Sequence, residues 1–229
     1  MNTRSVLESQ RTVARGWREK SAGVVWICAI QFFVAQIVVQ SRWTTPYSLA
    51  TNFISDLGNT ACGVYGGSGL YVCSPWYGIM NGSFALQGVI IGAGAWMARP
   101  AMPRGWAGAA IGVLLAITAA GMLGVGAFPE NVNNRAHVLS AGAQFITGNA
   151  AMVVFGGATH KAARWGAFSW VSVCLGIAGL IATGVFAQGY GLGLGVGGLE
   201  RVAAYTLPVW LITAGVILLR QSATVVTPR

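Results

Sequence analysis

The sequence predicts an all-α integral membrane protein, a bundle of six transmembrane helices with both termini cytoplasmic. Three observations predict it. Hydrophobic residues make up 55% of the 229-residue chain and charged residues only 8%, against about 25% in an ordinary soluble domain. Mean hydropathy is +0.62, and six apolar runs each approach the roughly 20 residues that cross about 30 Å of hydrocarbon. No Lys or Arg needs to sit inside any run. Fourteen basic and five acidic residues cannot cover a soluble globule of this size. That excludes a soluble enzyme and a disordered chain, and a nucleic-acid binder despite the net charge of +9. The runs are continuous rather than alternating, so a β-barrel is excluded too.

Residues 1–21 form a basic segment. Arg4, Arg11, Arg15 and Arg18 share one helical face, and Val6, Val13 and Trp17 share another. This is either an amphipathic segment on anionic lipid or a solvated tail that only sets topology. The membrane domain spans residues 22–220. Its first helix is expected over Ala22–Gln40; this run is too long for a signal peptide, and no A-x-A site follows it.

The outer loop covers 41–75. Ala50, Phe53, Ile54 and Leu57 form an apolar stripe, opposite Ser48, Asn52, Ser55, Asp56 and Asn59. The pattern predicts a short amphipathic helix on the outer surface, followed by a Gly- and Tyr-rich turn region from Gly63 to Tyr71. Cys62 and Cys73 share this loop and can pair in an oxidising space, stabilising the fold by about 3 kcal/mol in the chain-entropy model. Cys28 and Cys174 fall inside spans as small apolar fillers. With no C-x-x-C, a zinc or thioredoxin-like site is unsupported.

The remaining spans are expected near Trp76–Met97, Trp106–Phe128, Ala136–Ala158, Trp165–Ala187 and Val202–Leu219, with a tail over 221–229. The 33 glycines imply a closely packed bundle rather than a wide pore. Gly88 and Gly92 make a GxxxG match, a spacing that a glycine-rich chain also gives by chance. Gly121–Phe128 and Gly179–Phe186 share a pattern of small and apolar residues, hinting at three repeated hairpins.

Six spans put both termini on one side. That side holds Arg4, Arg11, Arg15, Arg18, Lys20, Arg99, Arg104, Lys161, Arg164, Arg220 and Arg229; the other holds Arg42, Arg135 and Arg201. By the positive-inside rule the termini are cytoplasmic, and the plasma membrane is the expected location. Trp43 and Trp76 mark the outer interface, and Trp96, Trp106 and Trp165 the inner one.

Chemistry has few places to reside. Glu8 and Glu19 precede the first span, while Asp56, Glu130, Glu200 and His137 fall at the outer face with Arg42, Arg135 and Arg201. No acid or base remains at mid-membrane, which argues against an ion-coupled transporter. His137 opens the fourth span, where Asn133 or Asn134 can cap the helix. The positive helix end disfavours imidazolium, so a neutral His137 can act as base. Asp56, Glu130 or Glu200 could orient it, and the arginines could hold an anionic headgroup. The plain alternative is that Glu200–Arg201 and Glu130–Arg135 are local surface ion pairs of little weight. His137 and His160 lie about 34 Å apart along one helix at 1.5 Å per residue, so they cannot share a haem or metal. No cofactor or metal is expected. The Gly-rich stretch 191–198 is a loop without the strand a dinucleotide site needs.

Asn52-Phe-Ile-Ser-Asp-Leu-Gly58, Gly126-Ala-Phe-Pro-Glu-Asn131 and His137, in that order, resemble the multi-pass bacterial and archaeal membrane proteins grouped as domain of unknown function 998, over roughly residues 22–220. The resemblance implies a multi-pass fold and points to Ser55, Asp56, Gly58, Pro129 and His137; it implies no chemistry. Ser55-Asp56-Leu57-Gly58 is also similar to the Frag1/DRAM/Sfk1 membrane proteins, some of which handle lipids.

The function expected is an outward-facing polar site that binds a membrane lipid or other small amphiphile, with or without acid–base chemistry on it. Asp56 and His137 form its reactive pair, with Ser55, Glu130, Arg135, Glu200 and Arg201 around the ligand. A non-catalytic subunit or packing partner in a membrane complex or homo-oligomer is the second reading, and a transporter of an apolar molecule the third.

Overall fold

A computed structural model of the protein describes residues 3–64 and 69–224, with side chains at 10, 13–64 and 69–221. The side chains of Arg4, Val6 and Arg11 on the basic segment, and the tail beyond 224, lie outside the described residues.

Among the described residues, seven α-helices make six crossings. Helix α1 (Thr3–Ile27) passes through a 3-10 turn at Cys28–Ile30 into α2 (Gln31–Gln40), and together they give a first apolar span over Val13–Gln40. Then come α3 (Tyr77–Ala98), α4 (Trp106–Ala127), α5 (Glu130–Thr159), α6 (Phe168–Ala187) and α7 (Val196–Thr224). All six crossings are long and apolar enough to span a membrane. No proline falls between residues 3 and 40, so nothing forces a break between the basic segment and the first span.

Each span packs on its sequence neighbours, and α7 returns to α1, closing a ring of six. Glycines allow the closure. A Cβ on Gly23 would stand 2.8 Å from the Gly215 carbonyl oxygen, and one on Gly215 would stand 2.6 Å from that of Gly23. The two backbones therefore touch where α1 meets α7. Gly88 and Gly92 both face Ala119 of α4 within the chain, so the GxxxG face is used internally.

At the basic end, Trp26, Phe155, Trp165, Phe168 and Trp210 form one aromatic cluster, with ring centroids 4.9 Å apart for Phe155–Trp165 and 5.1 Å for Phe155–Trp210. Trp165 is 4% exposed, which corrects its expected place in an interfacial belt: it is a core residue. Trp96 and Trp106 are exposed as a belt requires. Glu19 is held by Arg164 at 2.6 Å and Arg15 at 3.0 Å, pinning α1 to the α5–α6 turn.

The loop end differs from expectation. The stripe over residues 48–59 yields a single 3-10 turn, Ser55–Gly58, and the polar residues Asn52, Asp56 and Asn59 are buried. The segment does not lie on the surface with its polar face outward; it plugs the mouth of the ring. A short hairpin follows, β1 (Gly63–Val64) pairing antiparallel with β2 (Tyr71–Val72), closed by the Cys62–Cys73 disulfide. Cys28 and Cys174 are free and face outward from the bundle.

Candidate functional site at the loop end

The plug is braced within itself and fastened from three helices. Asp56 Oδ2 accepts from the Phe53 amide at 2.9 Å and from Asn52 Nδ2 at 3.2 Å, so Asp56 reaches back to cap its own turn, as the acid of a capping box does. From α3, Asn81 donates to the Gly58 carbonyl at 2.9 Å, and Ser74 just before it donates to that of Leu57 at 2.8 Å. From α5, Glu130 Oε1 accepts from Asn59 at 3.0 Å, and Asn131 exchanges two hydrogen bonds with Thr60. From α7, Arg201 donates to the carbonyls of Leu49, Asn52 and Gly197 at 3.0, 2.7 and 2.8 Å, and to the Tyr47 hydroxyl. Burial pushes the Tyr47 hydroxyl well above its usual range, so it stays protonated and donates to the Phe53 carbonyl. Gly195 completes the fit. Its φ of +76° suits glycine, and a Cβ there would stand 2.1 Å from the Ala50 carbonyl oxygen.

His137 sits about two turns inside α5 and one turn past a break in it. The chain breaks helical geometry at Asn133 (φ −146°, ψ 79°), whose Oδ1 accepts from the Ala136 amide at 3.1 Å as the expected N-cap. His137 is 4% exposed. Its Nδ1 lies 2.8 Å from the Phe128 carbonyl oxygen and its Nε2 lies 2.9 Å from Ser55 Oγ. A carbonyl can only accept, so Nδ1 carries a proton, and in the neutral ring Nε2 accepts from the Ser55 hydroxyl. Ser55 Oγ is also 3.2 Å from Glu200 Oε1, while Glu200 Oε2 accepts from the Ile54 amide. One hydroxyl proton thus stands between two acceptors, an imidazole and a carboxylate.

Ser55 and Glu200 form the roof of a narrow cavity of about 30 Å³ between the helices, room for about one or two water molecules. Its walls are mainly apolar, including Phe84, Met122, Phe145 and Leu207, with Gln87 and Gln144 as polar exceptions. Pro208 lines it as well. It lacks the N–H that would otherwise bond the Ala204 carbonyl inside α7. Gln87 is 1% exposed and its Nε2 has no hydrogen-bond partner.

The structure gathers Ser55, Asp56, Glu130, His137, Glu200 and Arg201 at one end of the ring. It does not pair Asp56 with His137, whose two nitrogens go to Phe128 and Ser55. Arg135 and Arg42 are exposed, and Arg42 lies over the Trp76 ring at 4.8 Å. Among the described residues the only ion pairs are those of Glu19, so Glu200–Arg201 and Glu130–Arg135 are not local pairs. Sequence reasoning missed Tyr47, Asn81 and Asn131, as well as Gln87; the signal for the last was an amide inside an apolar span, which has to find a partner or a purpose.

The model of the family described as "Protein of unknown function (DUF998)" matches residues 27–217. The match bears on the first of the two likenesses and not on Frag1/DRAM/Sfk1. No curated protein and no solved structure matches the chain. A match over that much of the sequence, on a ring of six membrane-length helices, makes this chain a polytopic member of the DUF998 family.

Proposed function

We propose that the protein binds a membrane lipid or similar amphiphile, with the polar head at Ser55, His137 and Glu200 and the apolar tail entering between the helices below, where the narrow apolar cavity widens to admit it. The observation that carries this reading is the pair Ser55 and Glu200 at the roof of an otherwise mainly apolar cavity, with His137 hydrogen-bonded to Ser55 behind it. Sites for small ligands are mostly apolar with a few converging polar groups. The trio also supports acid–base chemistry. Nucleophile and base stand within hydrogen-bond reach, and the Phe128 carbonyl orients the base. His137 Nε2 is the base, and the hydroxyl it polarises is that of Ser55. Asp56 and Arg201 act at one remove, holding the plug that positions Ser55. We place the termini in the cytoplasm and the plug outside, in the plasma membrane, because the basic residues crowd one end and the disulfide suits an oxidising space.

The test is purification from native membranes, followed by mass spectrometry of what stays bound. Wild-type protein should retain one dominant amphiphile. Leu207→Trp, which fills the cavity, should lose it, and Ser55→Ala should hold it more weakly. A wild-type protein free of bound lipid, or a Leu207→Trp protein with an unchanged complement, would overturn the reading.

A further inference from the structure

A second cleft opens at the basic end, far along the helices from Ser55 and His137. It lies between α3 and α4 and encloses about 760 Å³, within the roughly 300–1,000 Å³ of small-molecule sites. At its turn end the lining includes Arg99 and Arg104, with Arg15 added from α1, and no acidic residue lines it. Further in, Ala95, Ile111, Leu115 and Ala116 make it apolar. Along α4 the lining runs roughly 16 Å from Gly105 to Ala116 at about 1.5 Å per residue. That matches the depth of one leaflet, half of about 30 Å of hydrocarbon. Glycines keep the space open: a Cβ on Gly105 or Gly112, both in the lining, would meet nothing within 4 Å.

The arginines are not spent elsewhere. Arg99 and Arg104 are exposed and enter no ion pair among the described residues. Arg15 gives its Nε to Glu19 at 3.0 Å, but Arg164 holds both oxygens of that carboxylate. One carboxylate shared by two guanidinium groups leaves net positive charge beside the cleft. Arg18 secures the wall, donating to the Trp96 carbonyl at 2.7 Å and lying over the Trp96 ring at 4.7 Å. No side chain caps the start of α4 at Gly105, so its free N–H groups add to the positive field. We propose that this cleft binds an anionic phospholipid from the leaflet at the basic end. Its phosphodiester sits on Arg15, Arg99 and Arg104, and one acyl chain runs past Gly112 over Ile111 and Leu115. Guanidinium groups match phosphate oxygens bidentately, and a basic pocket between transmembrane helices is a general form of lipid-headgroup site. A free phosphate would leave the apolar length uncovered, which favours the lipid. The cleft shares no residue with the loop-end cavity, so the two readings stand or fall separately.

The test is native mass spectrometry of delipidated, detergent-purified protein titrated with phosphatidylglycerol or phosphatidylcholine. Wild type should hold one phosphatidylglycerol at least about tenfold more tightly than phosphatidylcholine, less so at high salt, and inorganic phosphate far more weakly than either. Arg99→Gln with Arg104→Gln should weaken phosphatidylglycerol binding roughly twentyfold, at about fivefold for each basic residue. Lys161→Gln with Arg220→Gln removes the same charge elsewhere at the basic end and should leave the preference intact. Gly112→Trp fills the cleft without changing charge, and should lose the lipid while melting like wild type. The proposal is overturned if the two lipids bind equally, if the Lys161 and Arg220 pair matters as much as the Arg99 and Arg104 pair, if Gly112→Trp keeps wild-type binding, or if inorganic phosphate binds as tightly as phosphatidylglycerol.

Discussion

Replacing Arg201 with methionine should loosen the plug that forms the roof of the site. Methionine keeps most of the stem's volume and removes four hydrogen bonds: three to the carbonyls of Leu49, Asn52 and Gly197 and one to Tyr47. Arg201 is 6% exposed and the Asn52 side 4%, so water cannot readily replace the lost donors. A buried acceptor left without its donor costs about 1–3 kcal/mol. Three carbonyls at the low end of that range give about 3 kcal/mol, at the lower edge of the roughly 3–5 kcal/mol typical of breaking a buried charged network. At roughly 2–4 °C per kcal/mol for a domain of this size, the melting temperature should fall by about 10 °C. Hydrogen exchange should rise over residues 47–59 and stay unchanged in the middle of α3 to α6. Arg201→Lys should recover less than half the loss, since a compact ammonium cannot reproduce the guanidinium fork. A Met variant melting within about 2 °C of wild type, with unchanged exchange over 47–59, would refute this account of the plug.

Three further outcomes follow from single contacts. Gly179→Ala places a Cβ 1.9 Å from Asn149 Oδ1, which accepts from Thr206 while Nδ2 donates to the Phe145 and Ala203 carbonyls; thermal melts should show a loss of about 2–3 kcal/mol, whereas Gly184→Ala, with nothing within 4 Å, should be neutral or stabilising. Removing the disulfide by Cys62→Ser with Cys73→Ser should cost about 3 kcal/mol in the chain-entropy model, seen as a lower melting temperature that reductant no longer shifts. Asn133→Ala removes the cap on the Ala136 amide and should cost about 1 kcal/mol, with faster exchange confined to the first turns of α5; an unchanged profile there would contradict the capping assignment.

The six crossings were legible because a membrane span is a property of composition over about 20 residues, and the ring's glycine contacts only refine it. The position of Ser55 on His137 was not legible. The two lie 82 residues apart in sequence, and no local pattern encodes that meeting. The 48–59 segment shows why periodicity alone misled. Asn52, Asp56 and Asn59 do share a face, but a polar face marks solvent only when nothing else can satisfy it. Here the Ser48 and Phe53 amides and Glu130 supply the side-chain partners, and the face turns inward. Trp165 fails in the opposite sense. An aromatic at a span end suits the lipid interface, yet Phe155 and Phe168 pack around it and make it core.

The central claim, that an amphiphile's apolar tail enters between the helices below Ser55 and Glu200, is tested most directly by photocrosslinking. A phospholipid carrying a diazirine in its acyl chain is incorporated in native membranes, and the labelled residues are mapped by mass spectrometry. The account predicts labels at Phe84, Met122 and Leu207, which line the cavity, and their loss in Leu207→Trp. Labels confined to the outer perimeter, at exposed residues such as Val89, Leu123 and Ile146, would contradict it.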